Sequence, residues 1–87
     1  MAWTLEVDSA ARKQLRKINK WQADQITLAL IEIAKLDDPR SRGRAMVGNQ
    51  VGHWRYRIGD WRVICRIEDK RIVIVVVAVG HRREVYN

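Results

Sequence analysis

"HWRYRIGDWRVICRI", residues 53–67, carries the reading of the whole chain. Apolar and charged residues alternate on both sides of Gly59-Asp60, and a Gly-X pair between two alternating runs is a type II′ hairpin signal. A two-residue turn pairs Ile58 with Trp61. Trp54, Tyr56 and Ile58 then share a face with Trp61, Val63, Cys65 and Ile67, and this apolar face is expected to meet the core. The opposite face holds His53, Arg55 and Arg57 on one strand and Arg62, Ile64 and Arg66 on the next, with Arg57 across from Arg62. Like charges opposed across a strand pair destabilise it. A basic face without acidic partners therefore points to an anionic ligand. Arginine suits phosphate, because its planar fork binds bidentately and keeps its charge in any surroundings.

Working outward, a turn at residues 68–70 leads to a third strand over residues 71–79. Its "IVIVVVAV" (72–79) is apolar on both faces, the pattern of a central strand. Ile72, Ile74, Val76 and Ala78 are expected in the core. Val73, Val75, Val77 and Val79 fall on the arginine side as a bare row, and an exposed apolar patch of that kind marks a partner surface. Upstream, "WTLEV" (3–7) alternates as a half-buried strand. Asp8 or Ser9 caps a helix that reaches about residue 18, with Ala11, Leu15 and Ile18 on one face. Asn19 with Gln22 resembles a capping box and opens a second helix over residues 20–36. Its apolar face is Ala23, Ile26, Leu30, Ile33 and Ala34, and Asp37-Asp38-Pro39 ends it. Residues 39–52 read as a loop or partly ordered connector containing Gly43, Gly48 and Gly52. The order is β-α-α-β-β-β. The fold class is α+β: a small, antiparallel-rich twisted sheet with an N-terminal helical hairpin packed on one face, as one domain over 1–87.

Composition limits the function. The chain has 87 residues, and its apolar share of 47% excludes a disordered chain. Lys and Arg number 17 against 10 Asp and Glu, a formal net charge of +7, which favours an anionic partner. Cys65 is the only cysteine. It cannot form an internal disulfide, it is expected to be a small buried apolar residue, and an intracellular reducing location fits it. No secretory leader is expected at the N-terminus, and the apolar run 72–79 is too short to span a bilayer. Arg12, Lys13, Arg16, Lys17 and Lys20 lie mostly away from the first helix's apolar face. They, and Arg40, Arg42 and Arg44 in the connector, are either solvated or in contact with phosphates. The chain ends "VGHRREVYN" (79–87). His81, Arg82, Arg83 and Tyr86 follow the central strand, a place from which side chains reach into a cleft on a rigid base. His81 adds an imidazole, a side-chain type used for proton transfer.

"MVGNQVGHWRYRIGDWRVICRI" (46–67), then an apolar strand, then "VGHRREVY" (79–86), resembles the RelE branch of the RelE/ParE toxin superfamily. The likeness covers the whole chain, and the paired motifs "YRIGDWRVI" and "VGHRREVY" carry it. The resemblance implies the toxin of a type II toxin–antitoxin module, a ribosome-dependent mRNA endonuclease that uses no metal or cofactor. In such enzymes the ribose 2′-hydroxyl attacks the adjacent phosphate. The reaction leaves a 2′,3′-cyclic phosphate and a 5′-hydroxyl, and it needs a base, cations around the phosphorane and help for the leaving oxygen. Carried onto this chain, the family's basic residues fall on Arg55, Arg57, Arg62 and Arg82, and its C-terminal tyrosine on Tyr86. Arg57, Arg62 and Arg82 are expected to hold the phosphate and transition state, Arg55 to orient the 2′-hydroxyl or phosphate, and Tyr86 to stack on a base or move a proton. RelE has lysines where this chain has Arg55 and Arg57. Arginine does not give up its proton, so the base here falls to Tyr86 or His81.

The same resemblance implies a cytoplasmic protein, monomeric alone and hetero-oligomeric with its antitoxin, acting on A-site mRNA in the ribosome. Arg12, Lys13, Arg16, Lys17, Arg40, Arg42, Arg44 and Arg83 are expected on nucleic-acid phosphates. An acidic or amphipathic antitoxin segment is expected across the sheet, over Val73, Val75, Val77 and Val79 and into the arginine cleft. Two other readings stay open: a ParE-like toxin that poisons DNA gyrase, and a non-catalytic module that binds nucleic acid or antitoxin.

Overall fold

A computed structural model describes residues 2–48 and 52–81. Strand β1 (Thr4–Val7) points Leu5 and Val7 inward and Thr4 and Glu6 outward, as its alternation requires. Helix α1 (Ser9–Lys17) starts at Asp8, whose Oδ1 accepts the Ala11 N–H at 2.9 Å. That bond satisfies one of the donors the first helical turn leaves open. Helix α2 (Lys20–Ala34) is capped by Asn19, whose Oδ1 accepts from the Trp21 N–H at 2.9 Å. The helix stops two residues before the expected end. The N–H of Leu36 donates to Ile33 at 3.1 Å, so the last turn tightens to three-residue spacing ahead of Pro39.

The connector is more ordered than its composition suggests. Asp38 caps a single 3₁₀ turn (Pro39–Ser41), and strand β2 (Arg44–Ala45) follows. Two long-range contacts anchor the turn. The Tyr56 hydroxyl donates to the Pro39 carbonyl at 2.7 Å, and the Arg40 guanidinium grips both Asp69 oxygens at 2.8 and 3.0 Å.

Strands β3 (Trp54–Ile58), β4 (Trp61–Glu68) and β5 (Val73–His81) complete one sheet in the order β1-β5-β4-β3-β2. The hairpin register is the one its turn dictates, with Ile58 opposite Trp61, Arg57 opposite Arg62 and Tyr56 opposite Val63. Gly59, at φ 59, supplies the left-handed residue that a primed turn needs. β5 is central, antiparallel to β4 and parallel to β1. Both helices pack on one face, over a core built around Ile26, Leu30, Tyr56, Val63, Ile74 and Val76. Cys65 is fully buried there, and burial pushes its thiol up to about 12. Among the described residues no helix is long and apolar enough to cross a membrane.

The third strand departs from expectation at both ends. It starts at Val73, because Ile72 sits in the preceding turn at φ 53 rather than in the core. It also carries a bulge. Cys65 pairs with Val76 and Ile64 with Ala78, so Val77 is an extra residue. One extra residue reverses the facing of all that follow it. Val79 therefore turns into the core at 2% exposure, while Ala78 sits opposite Ile64 on the outer face. The freed Val79 N–H donates to Gln14 Oε1 of α1 at 2.7 Å.

The valine row is not bare either. Val73 and Val75 are each 5% exposed. They lie between Thr4 and Glu6 on one side and Glu68 and Arg66 on the other. An ion-pair chain spans that strip. Arg71 donates to Glu6 at 3.1 Å and to Glu68 at 2.6 Å, and Glu68 accepts from Arg66 at 3.0 Å.

Candidate functional site

The hairpin alternation that buries Tyr56 and Val63 turns Arg55, Arg57 and Arg62 to the outer face, where Arg57 and Arg62 stand directly opposite. β5 offers Gly80 on the other side of Arg62, so no side chain competes for the space there. β2 adds Arg44, paired with Arg55. β2 approaches this closely because residue 43 is glycine. At its φ of +78, a Cβ would sit 2.4 Å from the Arg55 carbonyl oxygen and 2.6 Å from Trp54 Nε1. The same indole nitrogen donates to the Arg42 carbonyl at 2.7 Å and fixes the approach.

These elements enclose a cleft of about 500 Å³ at the sheet edge. Arg42, Arg44, Arg55, Arg57 and Arg62 line it on the strand side, and Ala29 and Ile33 of α2 on the other. No carboxylate is among the described residues that line it. Nε and Nη1 of Arg62 are out of solvent. Cations that converge on one cleft attract an anion more strongly than the same charges scattered over a surface. A phosphate diester and its more highly charged transition state are the ligands that five guanidinium forks suit.

The expected site residues divide. Arg55, Arg57 and Arg62 come together, with Arg42 and Arg44 of the expected phosphate-contacting set. His81 does not join them. The bulge places it opposite Trp61, on the helix-facing side, and its ring meets the indole edge-on at 5.5 Å and 84°. Arg40 is held outside the cleft by the Asp69 fork, and this guanidinium keeps the Asp69 carboxyl below its usual range. Arg12, Lys13, Arg16 and Lys17 are exposed on α1, which packs on β5, two strands away from the cleft wall β3. Arg12 donates to the Val7 carbonyl at 3.3 Å. Arg82, Arg83 and Tyr86 lie outside the described residues.

Apolar spacing assigns Ile33 to the core face of α2 and leaves Ala29 unassigned, and neither is expected at a cleft. Their helical spacing marks a flank of α2, but nothing local says that the flank faces the hairpin edge. Gly43 was visible as a glycine between two arginines, without a sign of what it approaches.

Comparison with known proteins agrees with this architecture. The family model for the ParE toxin of type II toxin–antitoxin systems matches residues 5–86. Toxin RelG of Mycobacterium tuberculosis is 28% identical over 90 residues, with 100% of this chain and 99% of RelG covered. The mRNA interferase toxin RelE of Escherichia coli is 29% identical, with 100% and 93% covered. Among solved structures, the M. tuberculosis RelBE2 toxin–antitoxin complex aligns at a TM-score of 0.75 and 26% identity, covering 97% of this chain and 95% of its counterpart. The archaeal RelE–RelB complex of Pyrococcus horikoshii aligns at 0.73 and 20% identity, covering 97% and 99%, a likeness of fold.

Proposed function

Because the chain belongs to the ParE-toxin family of type II toxin–antitoxin systems, we propose that it is a RelE-type toxin that cleaves mRNA on the ribosome and is held inactive by a protein antitoxin. The observation that carries this reading is the opposition of Arg57 and Arg62 in a cleft shared with Arg44 and Arg55. A phosphate diester is the ligand that such a cluster of guanidinium forks suits. Both named relatives at this level of identity are toxins, and one is an mRNA interferase.

In this reading the scissile phosphate lies between Arg57 and Arg62. The 2′-hydroxyl attacks it, the bond to the 5′-oxygen breaks, and the products are a 2′,3′-cyclic phosphate and a 5′-hydroxyl. The arginines bind the phosphorane more tightly than the diester, because its added negative charge meets donors already in place. Arg55 and Arg44 hold the neighbouring backbone. By the family resemblance, Arg82 is assigned a further phosphate-stabilising role. Proton removal falls to Tyr86 rather than to His81, whose ring is engaged with Trp61 on the other face. The exposed α1 residues Arg12, Lys13, Arg16 and Lys17 serve ribosomal RNA phosphates at the far side of the molecule, and Arg83 is assigned to nucleic-acid binding. The site of action is the cytoplasm, where ribosomes work. The free toxin is monomeric and forms a hetero-oligomer with its antitoxin.

The test is mapping of mRNA 5′ ends by primer extension after brief expression. New ends within translated codons support the reading. Intact mRNA with broken DNA assigns the chain to gyrase poisoning, the reading favoured by the name of the matching family model.

A further inference from the structure

Strand β3 serves the cleft twice. Its odd-numbered residues Arg55 and Arg57 line the cleft with their own guanidinium groups. Its even-numbered residues Trp54 and Tyr56 hold a second segment, residues 39–44, which carries Arg42 and Arg44 to the same cleft. Charge does not drive this approach. Arg44 pairs with Arg55 across the strands, and like charges so placed weaken a pair. Side-chain bonds to the backbone hold the segment instead. The Trp54 indole donates to the Arg42 carbonyl at 2.7 Å, and the Tyr56 hydroxyl donates to the Pro39 carbonyl at 2.7 Å. Between the two arginines, Gly43 fits closely. A Cβ there would lie 2.6 Å from the indole nitrogen and 2.9 Å from Tyr56 Cδ1. The Tyr56 bond is buried with the core, whereas the Trp54 bond is exposed and ends on Arg42 itself.

We infer that Arg42-Gly43-Arg44 is a preformed subsite for a backbone phosphate next to the scissile one, and that Trp54 is the positioning residue that holds Arg42 in it. The inference rests on the reading of the cleft as an RNA site, not on cleavage. Arg42 is exposed. An exposed arginine on a free loop loses backbone and rotamer freedom when it binds a ligand. Here the indole bond fixes the backbone of residue 42 before the ligand arrives, so less freedom is left to lose. In the proposed reaction the scissile phosphate lies between Arg57 and Arg62, in the β3–β4 ladder. A phosphate beside it keeps the same charge from diester to phosphorane. Arg42 and Arg44 therefore bind ground state and transition state alike, and contacts of that kind lower KM without raising kcat. Trp54 acts through the Arg42 carbonyl rather than on the ligand.

The probe is a seven-nucleotide 2′-O-methyl uridine oligomer, whose blocked hydroxyls prevent cleavage and leave binding alone to be measured. Arg42→Ala is expected to weaken its binding about ten-fold, the scale of one charge-assisted hydrogen bond. The slope of log affinity against log salt is expected to fall by about 0.7, one phosphate contact on a single strand. Trp54→Phe keeps a ring and removes the N–H, and it is expected to weaken binding by about three- to ten-fold. Added to Arg42→Ala, it is expected to cost less than about two-fold more, because the two residues act as one unit. On ribosome-bound mRNA each single variant is expected to raise KM, with kcat within about two-fold of the parent. Coupling is reciprocal, so the oligomer is expected to slow exchange of the Trp54 indole N–H in the unmodified protein and not in Arg42→Ala. That measurement stands even if Trp54→Phe fails to fold. Additive losses in the double variant, an unchanged salt slope in Arg42→Ala, an unchanged indole exchange rate, or a fall in kcat equal to that in kcat/KM would overturn the inference. So would oligomer binding by the unmodified protein weaker than about 1 mM, below the non-specific range. Cleavage of ribosome-bound mRNA by the unmodified protein is followed in parallel. Its absence sinks the nuclease reading and leaves the oligomer comparison standing.

Discussion

Arg57 and Arg62 stand directly opposite each other in the β3–β4 ladder, and Gly80 lies on the far side of Arg62. Like charges so placed weaken a strand pair, and in the proposed nuclease reading both guanidinium groups hold the phosphate. Arg62→Ala is therefore expected to lower cleavage of ribosome-bound mRNA by about 10²–10³-fold, the scale of one lost oxyanion donor. The same change removes the repulsion between opposed like charges, so stability is expected to change by no more than about 1 kcal/mol. Primer extension and urea unfolding on the same preparation measure the two effects. Reduced cleavage with reduced stability would mean that the residue is structural.

Gly43→Ala tests the approach of β2 to β3. Its Cβ would meet backbone at 2.4 Å, in a left-handed conformation at φ +78. The expected loss is at least about 1–3 kcal/mol of unfolding free energy, the usual cost of a strained backbone residue. A shift in the urea midpoint reads it. An unchanged midpoint would show that the 42–45 segment does not hold the cleft wall.

Gln14 holds the bulge through its 2.7 Å bond from the Val79 N–H. Gln14→Ala leaves that buried donor without its acceptor, at a cost of about 1–3 kcal/mol. Gln14→Glu keeps an acceptor and is expected to lose less. Amide exchange at Val79 distinguishes the two variants, fast in the first and slow in the second.

Acid should weaken the fold through two carboxylates. The Arg40 fork lowers the Asp69 pKa, and hydrogen bonds from Arg66 and then Arg71 lower that of Glu68. A depressed folded-state pKa gives stability that is present above the unfolded value, about 4 for these groups. That stability is lost as pH falls through the folded value. Asp69→Asn is therefore expected to lower the urea midpoint at pH 7 and to differ less from the parent at pH 3. An equal difference at both pH values would show that the fork does not act through charge.

The hairpin was legible because its determinants are local. Gly59-Asp60 sets the register, and strand alternation then decides every facing from Trp54 to Ile67. The opposition of Arg57 and Arg62 follows from fifteen consecutive residues. Helix positions and most of the core followed from apolar spacing in the same way, as did the central place of the last strand.

What tertiary structure alone decided lies where distant segments meet. Strict alternation along "IVIVVVAV" puts Val79 and His81 on the arginine side. The bulge at Val77 turns both to the helix side, and α1, 65 positions earlier in the chain, supplies the acceptor at Val79. An uninterrupted apolar strand carries no polar marker of where its extra residue falls. The cover over Val73 and Val75 spans the sheet from Glu6 to Arg66 by way of Arg71 and Glu68. Each of these charges, read singly, is an ordinary exposed residue. The arginine face follows from period-two alternation, which is a local rule. Only packing determined that α2 reaches the sheet edge beside the arginines to form a cleft, and that His81 is withheld from it.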